Sequence, residues 1–253
     1  MQLEGTTAVV TGAASGLGAA TAALLASRGV NVVGLDLAAS IEKAGEPGSG
    51  IRFVAADVTS EDEVQAALKL NAGEPPIRLV VNCAGIAPAK RVLSGKGVHD
   101  LETFQRTLNI NLVGTFNVLR LAAEIMAEQE PVDEAGQRGL IVNTASVAAY
   151  EGQIGQIAYA ASKGGVVGMG ITAARDLARN GIRVNTIAPG IVATPLLEAL
   201  GPEVNASLSA SVPFPARLAR PDEFAQLVTM IAEHDYLNGE TIRMDGALRM
   251  GPK

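Results

Sequence analysis

Tyr159 and Lys163 stand four residues apart in a stretch that reads as helix, so both side chains leave the same face. A phenol beside an ammonium suits chemistry at a carbinol. Hydride movement at the carbon requires a proton to move at the oxygen, and a nearby positive charge lowers a tyrosine pKa from about 10 toward neutrality. Ser146, thirteen residues upstream of Tyr159, ends a loop and adds a hydroxyl able to orient the substrate oxygen and stabilise charge developing on it.

A second set of residues supplies a place for a dinucleotide. Gly12, Gly16 and Gly18, in Thr11-Gly12-Ala13-Ala14-Ser15-Gly16-Leu17-Gly18, follow a short apolar run and open a helix. Glycines so spaced allow a tight turn, close approach to a pyrophosphate and close packing of helix on sheet, with the helix N-terminus facing the negative charge. Taken alone, the same residues also describe an ordinary tight turn. Asp36 ends the next apolar run, where a carboxylate can accept both ribose hydroxyls and repel a 2′-phosphate. Neither Ala14 nor Leu37 offers a compensating cation, so NAD is expected over NADP. Asp57, in Ala55-Ala56-Asp57-Val58, is placed either to touch the adenine edge or to cap the following helix. Asn82-Cys83-Ala84-Gly85 closes another run with small residues that leave room for a cofactor, and Cys83 reads as a packing residue.

The elements that must position these groups are legible as alternation. Apolar runs at Ala8–Val10, Val30–Leu35, Ile51–Ala55, Ile77–Val81, Leu140–Val142, Ile182–Ile187 and Thr241–Met244 lack polar interruption, as expected for parallel strands covered on both faces. Helical stretches lie between them at Gly18–Ser27, Glu61–Leu70, Leu101–Glu128, Gly155–Arg179 and Asp222–Glu233. Thr59 or Ser60 caps the acidic start at Glu61, and Pro221 opens the last helix. The expectation is α/β: a single doubly wound Rossmann domain over 1–253 with a seven-stranded parallel sheet. Glu42–Gly50, Ala87–Asp100 and Glu130–Gly139 read as loops. The segment 190–220 is too long for a plain connection and is expected to cover the substrate.

Composition sets outer bounds. The chain has 253 residues, of which 48% are hydrophobic and 18% charged, which describes a packed globule. A formal charge of −6 disfavours a general nucleic-acid binder. The single cysteine precludes an internal disulfide and suits a reducing compartment. His99 and His234 have no ligand spacing around them, so no metal is expected. Apolar stretches are broken before they reach membrane-spanning length, and the start shows no targeting pattern, so a cytoplasmic location is expected.

Thr11–Gly18, Asn82–Gly85, Asn111, Ser146, Tyr159, Lys163 and Pro189-Gly190 together resemble the classical short-chain dehydrogenase/reductase family over essentially the whole chain. Cys83 departs from that pattern, standing where a second Asn is commoner. The resemblance implies Tyr159 as general acid/base, Lys163 binding the nicotinamide ribose and lowering the Tyr159 pKa, and Ser146 holding the substrate oxygen. It implies Asn111 in a water-linked proton relay to Lys163, with Asn109 structural, and Thr194 bonding the carboxamide. The cofactor positions it implies are Gly12, Ser15, Gly16, Leu17, Gly18, Asp36, Asp57, Val58, Cys83, Ala84, Gly85, Tyr159, Lys163, Pro189, Gly190, Val192 and Thr194. A homotetramer is implied as well.

Within the family, Asn143–Ala149, Glu151-Gly152-Gln153, Pro213-Phe214-Pro215, Leu237–Glu240, Asp245–Met250 and the enlarged loop Ala89–Asp100 resemble the NAD-dependent 3-hydroxyacyl-CoA dehydrogenases, some of which also oxidise hydroxysteroids. Interconversion of (3S)-3-hydroxyacyl-CoA and 3-oxoacyl-CoA, in fatty acid metabolism, is the implied reaction. The start close to the first strand, without the organelle-targeting segment of the animal enzymes, suggests a bacterial cytoplasmic member. A hydroxysteroid or secondary-alcohol dehydrogenase and a non-catalytic dinucleotide-binding scaffold are the alternatives. Gln153 reads as a substrate contact or as a loop amide. Leu196, Leu197, Leu200, Val204, Leu208, Val212 and Phe214 read as an amphipathic lid over an acyl slot or as helices packed on the body. Lys90, Arg91 and Lys96 read as a solvated loop face or as contacts to CoA phosphates. Tyr150 and Tyr236 read as packing residues, and Arg243 and Arg249 as interface contacts.

Overall fold

The computed structural model describes residues 1–70, 75–194, 197 and 201–252. Seven parallel strands form one sheet in the order β3-β2-β1-β4-β7-β8-β9. They are β1 (Thr7–Thr11), β2 (Asn31–Asp36), β3 (Ile51–Ala55), β4 (Ile77–Asn82), β7 (Gly139–Thr144), β8 (Ile182–Pro189) and β9 (Thr241–Met244). Each expected run is a strand. β5 (Leu93–Ser94) and β6 (Gly97–Val98) make a separate antiparallel hairpin inside the stretch expected to be a plain loop.

The unbroken apolar character of the strands follows from two-sided cover. Val9, Val80, Ile141 and Val184 face a core shared with α3 (Glu61–Lys69), α5 (Thr115–Ala127) and α6 (Ile157–Leu177). Their neighbours Val10, Val81 and Val142 face the other core, shared with α1 (Gly16–Ser27) and α8 (Pro221–Glu233). Leu25 and Phe224 are fully buried there, each stabilising the fold by about 1.5–3 kcal/mol. Ser60 Oγ accepts the Glu63 N–H at 3.3 Å, which settles the cap of α3. Pro221 opens α8, with Arg220 N–H bonded to Glu223 at 2.7 Å.

Three helical features depart from expectation. α2 (Ala38–Ala44) runs into the stretch expected as a loop from Glu42. It buries no residue, so it carries no apolar stripe to read. The expected single helix from Leu101 is α4 (Leu101–Leu108), then a π-helical turn at Asn109–Gly114, then α5. Residues 101–127 include a window of mean hydropathy 1.3, long and apolar enough for a membrane span by length and composition, and 56% of that window is buried in the fold. In the segment after β8, α7 (Pro202–Ala210) forms. Of the proposed lid residues, Leu196 and Leu200 and the side chain of Val204 lie outside the described residues.

The chain crosses over between β1 and β4, from which the strand order runs outward in both directions. At such a switch point the loops at the carboxyl ends of the strands part and leave a crevice.

Candidate active site

Thr11, at the end of β1, holds the two sides of the crevice together: its Oγ1 accepts the N–H groups of Cys83 and Ala84 at 3.0 and 3.1 Å. This draws the loop after β1 against the loop after β4. Gly12 has φ +65°, and a Cβ there would lie 2.9 Å from the Ala84 nitrogen. A Cβ at Gly18 would stand 2.2 Å from the Gly12 carbonyl oxygen. Both positions therefore require glycine. Ser15 does not cap α1 with its side chain, so the first-turn N–H groups have no side-chain acceptor. That leaves them to an anion.

The crevice is a cavity of about 410 Å³ lined by Gly12, Ser15, Gly16, Leu17, Gly18, Asp36, Asp57, Val58, Cys83, Ala84, Gly85 and Thr194. Twelve expected cofactor positions thus line one cavity. Asp36 accepts the N–H groups of Ala14 at 2.9 Å and Leu37 at 2.8 Å, which fixes its carboxylate at the rim. Asp57 Oδ1 accepts from Thr59 N–H and Oγ1, both at 2.8 Å. The cap of α3 falls to Ser60 and leaves Asp57 beside the cavity. Ser40, Arg106 and Ile110 also line it and were not anticipated. Arg106 and Ile110 arrive from α4 and the π turn, far in sequence from any glycine motif.

Burial raises the Cys83 thiol to about 12, against a hydrogen bond from Thr144 at 3.7 Å, so the sulfur stays protonated and packs. No group of three or more His, Cys, Asp or Glu positioned to hold a metal occurs among the described residues.

A second cavity, of about 600 Å³, adjoins the first; Leu17 and Thr194 line both. Ser146, Tyr159, Gln153, Pro189, Gly190, Val192, Leu197 and Leu208 line it. Gln156 and Met250 do too, and neither was expected as a site residue. Ser146 opens the turn at Val147–Ala149, its Oγ accepting the Ala148 N–H at 3.1 Å. It also shares a hydrogen bond with the Tyr159 hydroxyl.

Lys163 is 4% exposed, and its Nζ donates to the Thr144 carbonyl at 2.6 Å. The ammonium lies 5.8 Å from the Tyr159 ring centre. Burial lowers the Lys163 pKa to about 8. Burial also holds the Tyr159 phenol above its ordinary value, opposed by the Ser146 hydrogen bond. Desolvation is thus the largest influence on the phenol, and the Lys163 ammonium is hydrogen-bonded to the Thr144 carbonyl.

Asn111 is fully buried within the π turn. Its Oδ1 accepts the Ile86 N–H, and its Nδ2 donates to the Ile86 carbonyl, each at 2.8 Å, and to Ser162 Oγ at 3.0 Å. Both amide donors and the Oδ1 are thus engaged, and the side chain braces the loop beneath Gly85. A Cβ on that glycine would meet Asn111 Oδ1 at 3.1 Å and Lys163 Nζ at 3.7 Å. Asn109 is exposed.

Gln153 Nε2 donates to the Gly251 carbonyl at 3.2 Å. Lys90 pairs with Asp100. Lys90 and Arg91 border a groove of about 500 Å³ beside Gln153, whereas Lys96 lies exposed in the hairpin turn. Arg243 and Arg249, expected at an interface, pair within the chain with Glu151 and Asp245.

The family model described as short chain dehydrogenase matches residues 6–205. The 3-hydroxyacyl-CoA dehydrogenase type-2 of Rattus norvegicus is 54% identical over 255 residues, 99% of this chain and 97% of that one. The protein of the same name from Homo sapiens matches at the same identity and coverage. A crystal structure of 3-hydroxyacyl-CoA dehydrogenase type-2 from Mycobacterium avium superposes with a TM-score of 0.92 at 46% identity, covering 100% of this chain and 99% of that one.

Proposed function

The chain belongs to the short chain dehydrogenase family and is an oxidoreductase, and from that premise we propose that it interconverts (3S)-3-hydroxyacyl-CoA and 3-oxoacyl-CoA with NAD as cofactor. The observation that carries the reading is the placement of Ser146 and Tyr159 in a cavity that adjoins the glycine-lined crevice. The 54% identity to enzymes named for this substrate class supports the choice of thioester.

The crevice fits a nicotinamide dinucleotide: two glycines whose Cβ atoms would collide with backbone, and a helix N-terminus without a side-chain cap. Gly12–Gly18 would hold the pyrophosphate, Asp36 the adenosine ribose, Lys163 the nicotinamide ribose, and Thr194 the carboxamide, and a nicotinamide held there would supply or accept the hydride. Tyr159 donates its phenolic proton to the substrate oxygen in the reductive direction and recovers it in the oxidative one. Ser146 donates a hydrogen bond to the same oxygen. Asn111 holds the backbone of Ile86 beside these groups. The Asp36 charge at the rim disfavours a 2′-phosphate, which supports NAD over NADP.

The enzyme assembles as a homotetramer and works in fatty acid metabolism in the cytoplasm. Exposed apolar Val113, Phe116 and Ile171 on the π turn, α5 and α6 support association, and light scattering at four chain masses is the expected result.

An absorbance assay of NADH oxidation tests the reaction, with acetoacetyl-CoA and longer 3-oxoacyl-CoAs set against steroid ketones and simple ketones. The CoA thioesters should have the highest kcat/KM, with NADH strongly preferred to NADPH and that preference weakened in Asp36→Ala. Turnover confined to ketones without CoA refutes the substrate class, and equal use of NADH and NADPH refutes the role of Asp36.

A further inference from the structure

The stretch after Ser146 and the last residues of the chain are tied together by charge. Glu151 accepts two hydrogen bonds from Arg243, at 3.0 and 3.1 Å, and its Oε2 also accepts the backbone N–H of Met250 at 3.1 Å. Arg243 Nε donates to Asp245 at 2.6 Å, and its guanidinium lies 5.3 Å from the centre of the Tyr150 ring. Arg249 reaches both acids, Asp245 at 3.1 Å and Glu151 at 3.5 Å. Two cations thus balance two carboxylates, and the arginines hold the Glu151 carboxyl below its ordinary range, so the clamp is charged at neutral pH. Further along, Gln153 Nε2 bonds the Gly251 carbonyl at 3.2 Å, and the Ile154 N–H bonds the Pro252 carbonyl at 3.0 Å.

The same tail reaches the segment after β8. Gly190 N–H donates to the Met244 carbonyl at 2.9 Å, and Phe214 N–H to the Gly246 carbonyl at 3.2 Å. Between these two anchors lie Leu197 and Leu208, which line the larger cavity together with Met250. Ala247 is held at φ +67°, a left-handed conformation unusual for a residue with a side chain, so the turn leading to Met250 is set by its surroundings. Met250 is the one described residue of the tail that lines this cavity.

We propose that Met250, positioned by Glu151, limits the length of the alkyl chain that the cavity admits. The inference rests on the reading of the substrate as a 3-oxoacyl or 3-hydroxyacyl thioester. The carbonyl to be reduced sits with Ser146 and Tyr159, and the apolar lining at Leu197, Leu208 and Met250 takes the alkyl arm. A thioether on an unbranched stem fills irregular apolar space and yields it when shortened. Each further methylene seated there is worth about fourfold in binding. Glu151 touches no substrate in this account and is a positioning residue.

The test compares kcat/KM for 3-oxododecanoyl-CoA and acetoacetyl-CoA in the full-length enzyme, with a parallel series of alkan-2-ones of rising length. Met250→Ala should raise the long-to-short ratio about tenfold or more, through KM rather than kcat, and Met250→Phe should lower it. Glu151→Gln, which loses the charged clamp, should move the ratio in the direction of Met250→Ala. Because the two Met250 variants act in opposite senses, the loss of one to misfolding leaves the other decisive. A ratio unchanged in a folded variant overturns the proposal. An unaltered enzyme that reduces alkan-2-ones but no CoA thioester refutes the thioester reading, while the ketone series still reports whether Met250 sets chain length.

Discussion

Lys163 carries a charge in a place where burial works against it, and this gives its titration a readable sign. The folded-state pKa is lowered to about 8, against about 10.4 for an unperturbed lysine. Below pH 8 both folded and unfolded chains hold the proton, and the burial penalty is constant. Between pH 8 and 10 the unfolded chain holds a proton that the folded chain has released, so stability rises with pH through that window. Tyr159, with its phenol raised, contributes in the opposite sense only above about pH 10, where the unfolded phenol ionises first. Urea unfolding of the unaltered protein and Lys163→Met from pH 7 to 10 isolates the effect. The unaltered protein should gain on the order of 2 kcal/mol relative to the variant across that range. A difference that stays flat would mean that the ammonium is not desolvated.

At the scale of elements, the π turn at Asn109–Gly114 decides what Asn111 can do. Its amide bridges Ile86 and Ser162, joining the loop after β4 to α6. Asn111→Ala should destabilise the protein by about 2–3 kcal/mol, since two partly buried backbone groups of Ile86 and the buried Ser162 hydroxyl lose a partner. A loss below about 1 kcal/mol in urea unfolding would contradict the bracing role. The turn is invisible in the sequence, because the apolar spacing of Leu101–Glu128 fits one continuous helix nearly as well. The strands are the opposite case. Val9 and Val10 face different cores, and that two-sided cover is written directly into runs such as Ile77–Val81. The Leu93–Val98 hairpin left no signal, being only two short antiparallel pairs in an exposed loop.

Over the whole molecule, the topology gathers groups that local motifs could name but not assemble. The glycines, Asp36, Ser146, Tyr159 and Lys163 were legible because each serves a chemical need that only certain residue types meet. Arg106 and Met250 were not, because distant elements bring ordinary residues to the cavities. The electrostatic state of Tyr159 was also beyond reach, since burial and the direction of the Lys163 ammonium are properties of the folded chain. The account as a whole depends on the Tyr159 hydroxyl moving the proton while the crevice holds the cofactor. Steady-state reduction of acetoacetyl-CoA by Tyr159→Phe, with NADH affinity followed by fluorescence, tests it most directly. Turnover should fall by about 10²–10⁴-fold while NADH still binds within a few fold of the unaltered protein; residual turnover within about tenfold of the unaltered enzyme would contradict the assignment.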